Sequence, residues 1–159
     1  MLMVILRWVH IVMGAMWIGF AAFGPMFLMP AIEEAGPDGG KVMAALAKKG
    51  LMNFMPMLAI ATLVSGFWLY WIVSGGMDAA YMRSRMGMAL GTGGTLATVA
   101  FLIGMAIVRP AMMQAAKLMQ AGGDRAEIQR MRARAATANR VVAMFLILAV
   151  SAMAVARYL

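Results

Sequence analysis

The chain has 159 residues, of which 64% are hydrophobic and only 13% are charged, and its mean hydropathy is +0.85. A soluble domain of this length needs far more polar surface, so the composition predicts an integral membrane protein. The net charge of +8 lies mostly in loops beside apolar segments, which indicates contact with membrane lipids and not with nucleic acid. The absence of cysteine excludes disulfides and thiolate metal sites.

Four apolar segments are long enough to cross the ~30 Å hydrocarbon core of a bilayer as helices. They cover about residues 2–29, 51–74, 86–108 and 139–159. The first is too long to be a typical cleavable signal peptide, and we expect it to be retained. We predict an all-α fold in which residues 1–159 form a single transmembrane domain. Its architecture is an antiparallel four-helix bundle made of two helical hairpins with cytoplasmic extensions.

The first span contains His10, the only histidine, and also Arg7. Ionisable side chains are costly in hydrocarbon, so they usually face a protein interior, a cavity or a cofactor. At helical spacing one stripe contains Arg7, His10, Gly14, Trp17, Ala21 and Gly24. The small residues of this stripe predict close contact with another helix.

Two interpretations of His10 stay open. Imidazole is a common ligand of transition metals and of haem iron, so His10 is a candidate haem b or metal ligand, with Arg7 near the haem propionates. In the other interpretation, His10 is hydrogen-bonded to a neighbouring helix, and Arg7 extends its charge to the membrane interface.

A six-coordinate haem needs a second axial ligand, for which methionine is the natural residue in this chain. Met13 lies too close to His10 on the same helix to reach the opposite face of the iron. The candidates are Met86, Met88, Met144 and Met153. A five-coordinate iron, or two copies of His10 across a homodimer, are the other possibilities.

Copper ranks second to haem b as a cofactor. Thioethers bind Cu(I), and five methionines cluster in sequence near the first hairpin turn: Met26, Met29, Met52, Met55 and Met57. Methionine also packs as a flexible apolar side chain, and it occurs in every span, so packing is the preferred interpretation.

The remaining spans carry structural patterns. The aromatic run Phe67–Trp71 indicates an interfacial belt at the outer end of the second span. Gly87 and Gly91, four residues apart, predict tight helix packing. The two halves of the chain also look alike, because each has a long helix, a Gly-Asp turn and a returning helix that begins near Asn53 or Asn139. Gene duplication explains this repeat, and so does any bundle with two loops on one side.

Basic residues predict the orientation. The loops after the first and third spans contain ten lysines and arginines, whereas the loop after the second contains only Arg83 and Arg85. The positive-inside rule therefore places both hairpin loops in the cytoplasm and both termini outside.

The segment Trp8-Val9-His10-Ile11, followed by Trp17-Ile18-Gly19, resembles the first helix of a superfamily of small membrane proteins. Its members include copper-resistance-D-like (CopD-like) proteins, the HemJ type of protoporphyrinogen oxidase and the membrane region of PuuD-type urate oxidases. The stretch Asn139–Val142 is similar to the start of the last helix in the HemJ type. The resemblance implies that His10 is a haem ligand. The Lys-bearing third helix of the HemJ type has no counterpart between Met86 and Val108, so protoporphyrinogen oxidation is not expected.

The sequence thus predicts a multi-pass protein of the bacterial inner membrane. It would bind haem b through His10, beside Arg7 and Trp17, and act in electron transfer or membrane redox chemistry. Whether it is an enzyme is left open. The alternative is a non-enzymatic accessory subunit that packs against a larger respiratory or photosynthetic membrane complex.

Overall fold

The structure, a computed structural model, describes residues 1–159 except for the side chain of Pro37, and it is helical almost throughout. The helices are α1 (Leu2–Phe23), α2 (Met29–Glu34), α3 (Pro37–Lys48), α4 (Leu51–Val73), α5 (Ala79–Arg83), α6 (Arg85–Ile103), α7 (Arg109–Gln120) and α8 (Arg125–Val155). The described residues contain no β-strand, so the predicted all-α class is confirmed.

Four continuous helical stretches are long and apolar enough to cross a membrane. They are Leu2–Glu34, Leu51–Val73, Arg85–Gln120 and Arg125–Tyr158. Three of them have 33 to 36 residues, which is more than the ~20 residues that a bilayer requires. The helices therefore continue well beyond the predicted spans, and the excess forms the extensions.

The first and third stretches each contain one π-helical turn. Gly24–Leu28 joins α1 to α2, and Gly104–Val108 joins α6 to α7. Both turns begin at a glycine and are followed by a proline, Pro30 or Pro110. Proline has no N–H, so it cannot complete the regular ladder of a helix interior, and single π turns interrupt α-helices in this way. The predicted first and third spans end at these turns, but the helices do not.

The predicted turns between helices are confirmed. Gly36 has a φ of +56° before α3, and Gly122 has a φ of +67° before α8, a conformation that glycine adopts without steric cost. The side chain of Asp124 accepts a hydrogen bond from the N–H of Ala126 (3.0 Å) and caps α8. On the opposite end of the bundle, Ser84 caps α6 by accepting from the N–H of Gly87 (3.0 Å).

The four long helices form a ring of contacts. α1 packs mainly against α4 and α6 mainly against α8, while smaller contacts of α1 with α8 and of α4 with α6 complete the ring. The core between them is apolar and rich in small residues: Trp17, Ala21, Leu58, Ala59, Ala97, Ala100, Val142, Leu146 and Ala149. Alanines at these positions allow the helix backbones to approach closely.

One glycine of α6, Gly93, lies very close to another long helix, α8. A Cβ atom at Gly93 would lie 2.8 Å from Cγ of Met153 and 3.0 Å from the carbonyl oxygen of Ala149 in α8. Gly87 and Gly91, the two glycines predicted to pack tightly against another helix, have other neighbours. Gly91 faces the hydroxyl of Tyr70 in α4, and Gly87 packs on the backbone of Tyr81 in the short α5. The tightest α6 contact with a long helix is therefore at a glycine that the spacing argument did not select.

Along α8 a buried residue recurs at every seventh position, at Ile128, Ala135, Val142 and Ala149. The repeat continues to the buried Ala156, in the 3₁₀ turn that follows α8. A seven-residue apolar repeat keeps one face of a helix toward its neighbours when the helices wind around each other with a left-handed twist. α8 thus runs as one element from the basic extension into the core, without the π turn that interrupts its partner.

Candidate functional site: a histidine held between two helices

His10 lies half-buried where α1 meets α4. Its Nδ1 atom is 2.8 Å from the carbonyl oxygen of Thr62. A carbonyl can only accept, so Nδ1 carries the hydrogen and donates it. In the neutral imidazole, Nε2 then has the free lone pair.

The hydroxyl groups around this bond are satisfied within α4. Thr62 donates to the carbonyl of Leu58 (2.8 Å), and Ser65 donates to the carbonyls of Ala61 (2.6 Å) and Thr62 (3.1 Å). Because Ser65 has a single hydroxyl hydrogen, its shorter contact with Ala61 is the main bond and its contact with Thr62 is secondary. The Thr62 carbonyl lies inside α4 and also accepts the helical N–H of Gly66, so the bond from His10 is added to the regular ladder of the helix.

A glycine makes room for the ring. A Cβ atom at Gly66 would lie 2.6 Å from Cε1 and 2.9 Å from Nδ1 of His10, which is closer than a side chain allows. Sequence reasoning did not identify Gly66 or Thr62 as site residues. The available signal was a lone glycine in an apolar helix, a pattern that often marks a packing or functional requirement.

The predicted stripe of α1 lies only partly in the bundle. Gly14, Trp17 and Ala21 are buried, whereas Arg7 is exposed, one turn from His10 toward the N-terminus. Trp17 is 5% exposed and belongs to the apolar core, about 10 Å along the helix from His10 at a rise of ~1.5 Å per residue. Along α1, His10 therefore lies between the exposed guanidinium of Arg7 and the apolar core around Trp17.

The candidate methionine ligands are scattered. Met86, Met88 and Met144 are 40 to 53% exposed, and Met153 packs against Gly93 between α6 and α8. Among the methionines of the copper hypothesis, Met26 and Met57 are exposed and Met55 packs against the core. Within the described residues, no group of three or more His, Cys, Asp or Glu side chains lies close enough to hold a metal ion.

A second polar cluster lies near the two π turns. Nη2 of Arg109 donates to Oδ1 of Asn53 (3.2 Å), and Nδ2 of Asn139 is 3.5 Å from the carbonyl oxygen of Ala21. Asn53 in α4 therefore contacts the third long helix, and Asn139 in α8 contacts the first. The two asparagines that the sequence placed at similar positions make reciprocal contacts between the two halves.

Comparison of the chain with protein-family models, with curated proteins and with solved structures finds no match. The geometry of the site and the residues of the sequence therefore carry the functional argument.

Proposed function

We propose that the chain is a multi-pass protein of the bacterial cytoplasmic membrane, in which two antiparallel hairpins extend into the cytoplasm and both termini lie outside. Four helices of sufficient length and apolarity support the membrane location. The contacts of α1 with α4 and of α6 with α8 support the hairpins. The ten basic residues in or beside the extensions support the orientation.

Within that protein, His10 holds the iron of a haem b through Nε2, and the function is electron transfer or redox chemistry at the membrane. One observation carries this proposal: Nδ1 of His10 donates to the Thr62 carbonyl, and the ring occupies the space left by the missing Cβ of Gly66. Histidines that ligate metals almost always donate their other ring N–H to a carbonyl, a carboxylate or water, which sets the tautomer and orients the ring. The likeness of Trp8–Ile11 and Trp17–Gly19 to the CopD/HemJ-like group supports the same role.

The residues around His10 have separate tasks. The Thr62 carbonyl orients the imidazole and raises its basicity as a ligand. Arg7, one turn outward and exposed, would hold the propionate carboxylates through charge-assisted hydrogen bonds. Trp17 and its apolar neighbours keep water from the inner side of the site. When bound, haem supplies one-electron redox chemistry, with its potential set by the axial ligand and the polarity around it.

A visible absorption spectrum tests the haem. Protein isolated in mild detergent from its native membrane should show a Soret band, and His10→Ala should abolish it without loss of helix content. Ile11→Ala, which changes the adjacent exposed residue of α1, is the matched control and should keep the band. A wild-type preparation with no haem would refute the ligand role.

The second candidate function is a non-enzymatic accessory subunit of a larger respiratory or photosynthetic membrane complex. One observation favours it: the bond to Thr62 already satisfies Nδ1 of His10, as a purely structural histidine would require. In that case, the isolated protein is colourless and metal-free, and cross-linking in intact membranes joins it to larger membrane subunits. The spectrum and the cross-linking together separate the two functions.

A further inference from the structure

A groove of about 670 Å³ runs along α4 and is open at its side. Its wall is mostly apolar, with Leu6 and Val9 on one flank and Ile60 and Val64 along α4. His10 is not one of its lining residues, although its neighbours Val9 and Ser65 are, so the groove passes beside the proposed haem site without including the imidazole.

Only one end of the groove carries a charge. Asn53 and Arg109 line that end, and Trp68 lines the groove fifteen residues further along α4. Arg109 is half-buried, and its Nε atom is fully buried without a hydrogen-bond partner among the described residues. Its Nη2 donates to Asn53, which leaves most of the five guanidinium N–H groups for another acceptor.

The shape of the groove fits a thin chain. From Asn53 to Trp68 the helix rises about 22 Å at ~1.5 Å per residue. This length exceeds one leaflet, which is about half of the ~30 Å hydrocarbon core. The volume of about 670 Å³ is spread over this length and the groove is open at its side, so an extended apolar chain can lie along it from end to end.

We propose that this groove binds one acyl chain of an anionic phospholipid, with the lipid phosphate on Arg109 and the chain end near Trp68. The planar guanidinium matches phosphate geometry and is its preferred partner among cationic side chains. Beyond Arg109, a shallow depression contains Gln114 and Lys117, which places a second cation on the headgroup side. The assignment rests on the proposed membrane location and is independent of haem.

Native mass spectrometry tests the lipid site. Wild-type protein in mild detergent is incubated with phosphatidylglycerol or phosphatidylcholine of the same acyl chains. Wild type should retain phosphatidylglycerol at least fivefold better than phosphatidylcholine. Arg109→Gln should lose that preference. Arg134→Gln removes the same charge from an exposed position of the extension and should behave as wild type.

A second variant tests the apolar part without touching the cation. Ala61→Phe adds a ring inside the groove and should reduce retention of both lipids severalfold, with helix content and gel-filtration volume monitored to confirm folding. Equal retention by Arg109→Gln and Arg134→Gln, or unchanged retention by a folded Ala61→Phe, would overturn the proposal. So would a partner protein that cross-links to Val64 in place of lipid. The membrane location is tested separately by reporter fusions, so failure of the lipid site does not affect it.

Discussion

Gly66 determines where the imidazole of His10 can lie. The ring occupies the volume that a Cβ atom would need, and the bond to the Thr62 carbonyl depends on that close approach. The missing Cβ of Gly66 and the carbonyl of Thr62 both belong to the backbone of α4. The backbone of α4 therefore sets the position of His10, a side chain of α1.

We predict that Gly66→Ala displaces the imidazole from Thr62. Alanine stabilises a helix interior by about 1 kcal/mol relative to glycine. Overpacking against a ring costs about 1–3 kcal/mol, so the variant should be destabilised on balance. Thermal unfolding followed by circular dichroism, together with the intensity of the Soret band, measures both effects.

Gly19→Ala is the matched control for this variant. A Cβ atom at Gly19, also in a long apolar helix, would meet nothing within 4 Å. Its melting temperature should be equal to or slightly above that of wild type, with an unchanged spectrum. If the two variants behave alike, the imidazole does not depend on the close approach at Gly66.

Among the contacts between helices, the one between α6 and α8 depends on how closely their backbones can approach. Gly93 contacts the side chain of Met153 and the backbone of Ala149, and a backbone atom cannot move aside as a flexible side chain can. The small buried residues Ala97 and Ala100 continue the same face of α6. Association of membrane helices relies on this kind of packing because lipid tails are as apolar as the helix surfaces.

We predict that Gly93→Ala separates α6 from α8, at a cost of about 1–3 kcal/mol. Gly94→Ala is the adjacent control, since a Cβ atom there would meet nothing within 4 Å. Distances between spin labels at the exposed residues Met88 in α6 and Val155 in α8 report the spacing of the two helices. They should increase in the first variant only, and an equal increase in both would contradict the prediction.

The elements were more predictable from sequence than their contacts. Apolar length was sufficient to locate all four long helices, because a run of this length has few other solutions in a membrane. The burial of Gly93 in preference to Gly91 depends on where α8 lies, and no local spacing contains that information. The seven-residue repeat from Ile128 to Ala156 is visible in the sequence, but hydropathy rises to the level of a membrane span only near residue 139, so the predicted fourth span begins there.

For the His10 site, the sequence predicted the residues of α1 but not those of α4. His10 and the burial of Gly14, Trp17 and Ala21 follow from the stripe of a single helix, which periodicity reveals. Thr62 and Gly66 are distant in sequence, and their role arises from a backbone carbonyl and a missing Cβ, neither of which is a residue-type signal. Arg7, at the N-terminal end of the stripe of α1, is exposed, so this end of the stripe does not pack against α4.

At the scale of the whole molecule, lysines and arginines are distributed unevenly between the two ends. One end carries ten of them, and the one ion pair found among the described side chains there, Lys41 with Asp38, is exposed. The other end carries four: Arg7, Arg83, Arg85 and Arg157. This asymmetry is what the proposed orientation depends on.

We predict that a reporter inserted at Gly123, in the turn between α7 and α8, is cytoplasmic. A reporter fused after Leu159 should be external, and one at Gly75, in the turn after α4, should match it. Alkaline phosphatase and fluorescent-protein fusions give opposite signals on the two sides and so check each other. An external Gly123 reporter would reverse the orientation.

The two π turns bear on the origin of the chain. Gly24 and Gly104 begin them, Pro30 and Pro110 follow them, and each pair is separated by 80 residues. Hydrogen bonds in a π turn span one residue more than those of the α-helix, so the faces of the helix before and after the turn are rotated relative to each other. Both halves of the chain therefore change face at matching positions, whether by duplication or by the common layout of a four-helix bundle. At the same spacing of 80 residues, the position that corresponds to His10 in the second half is Leu90, so the histidine is unique to the first hairpin.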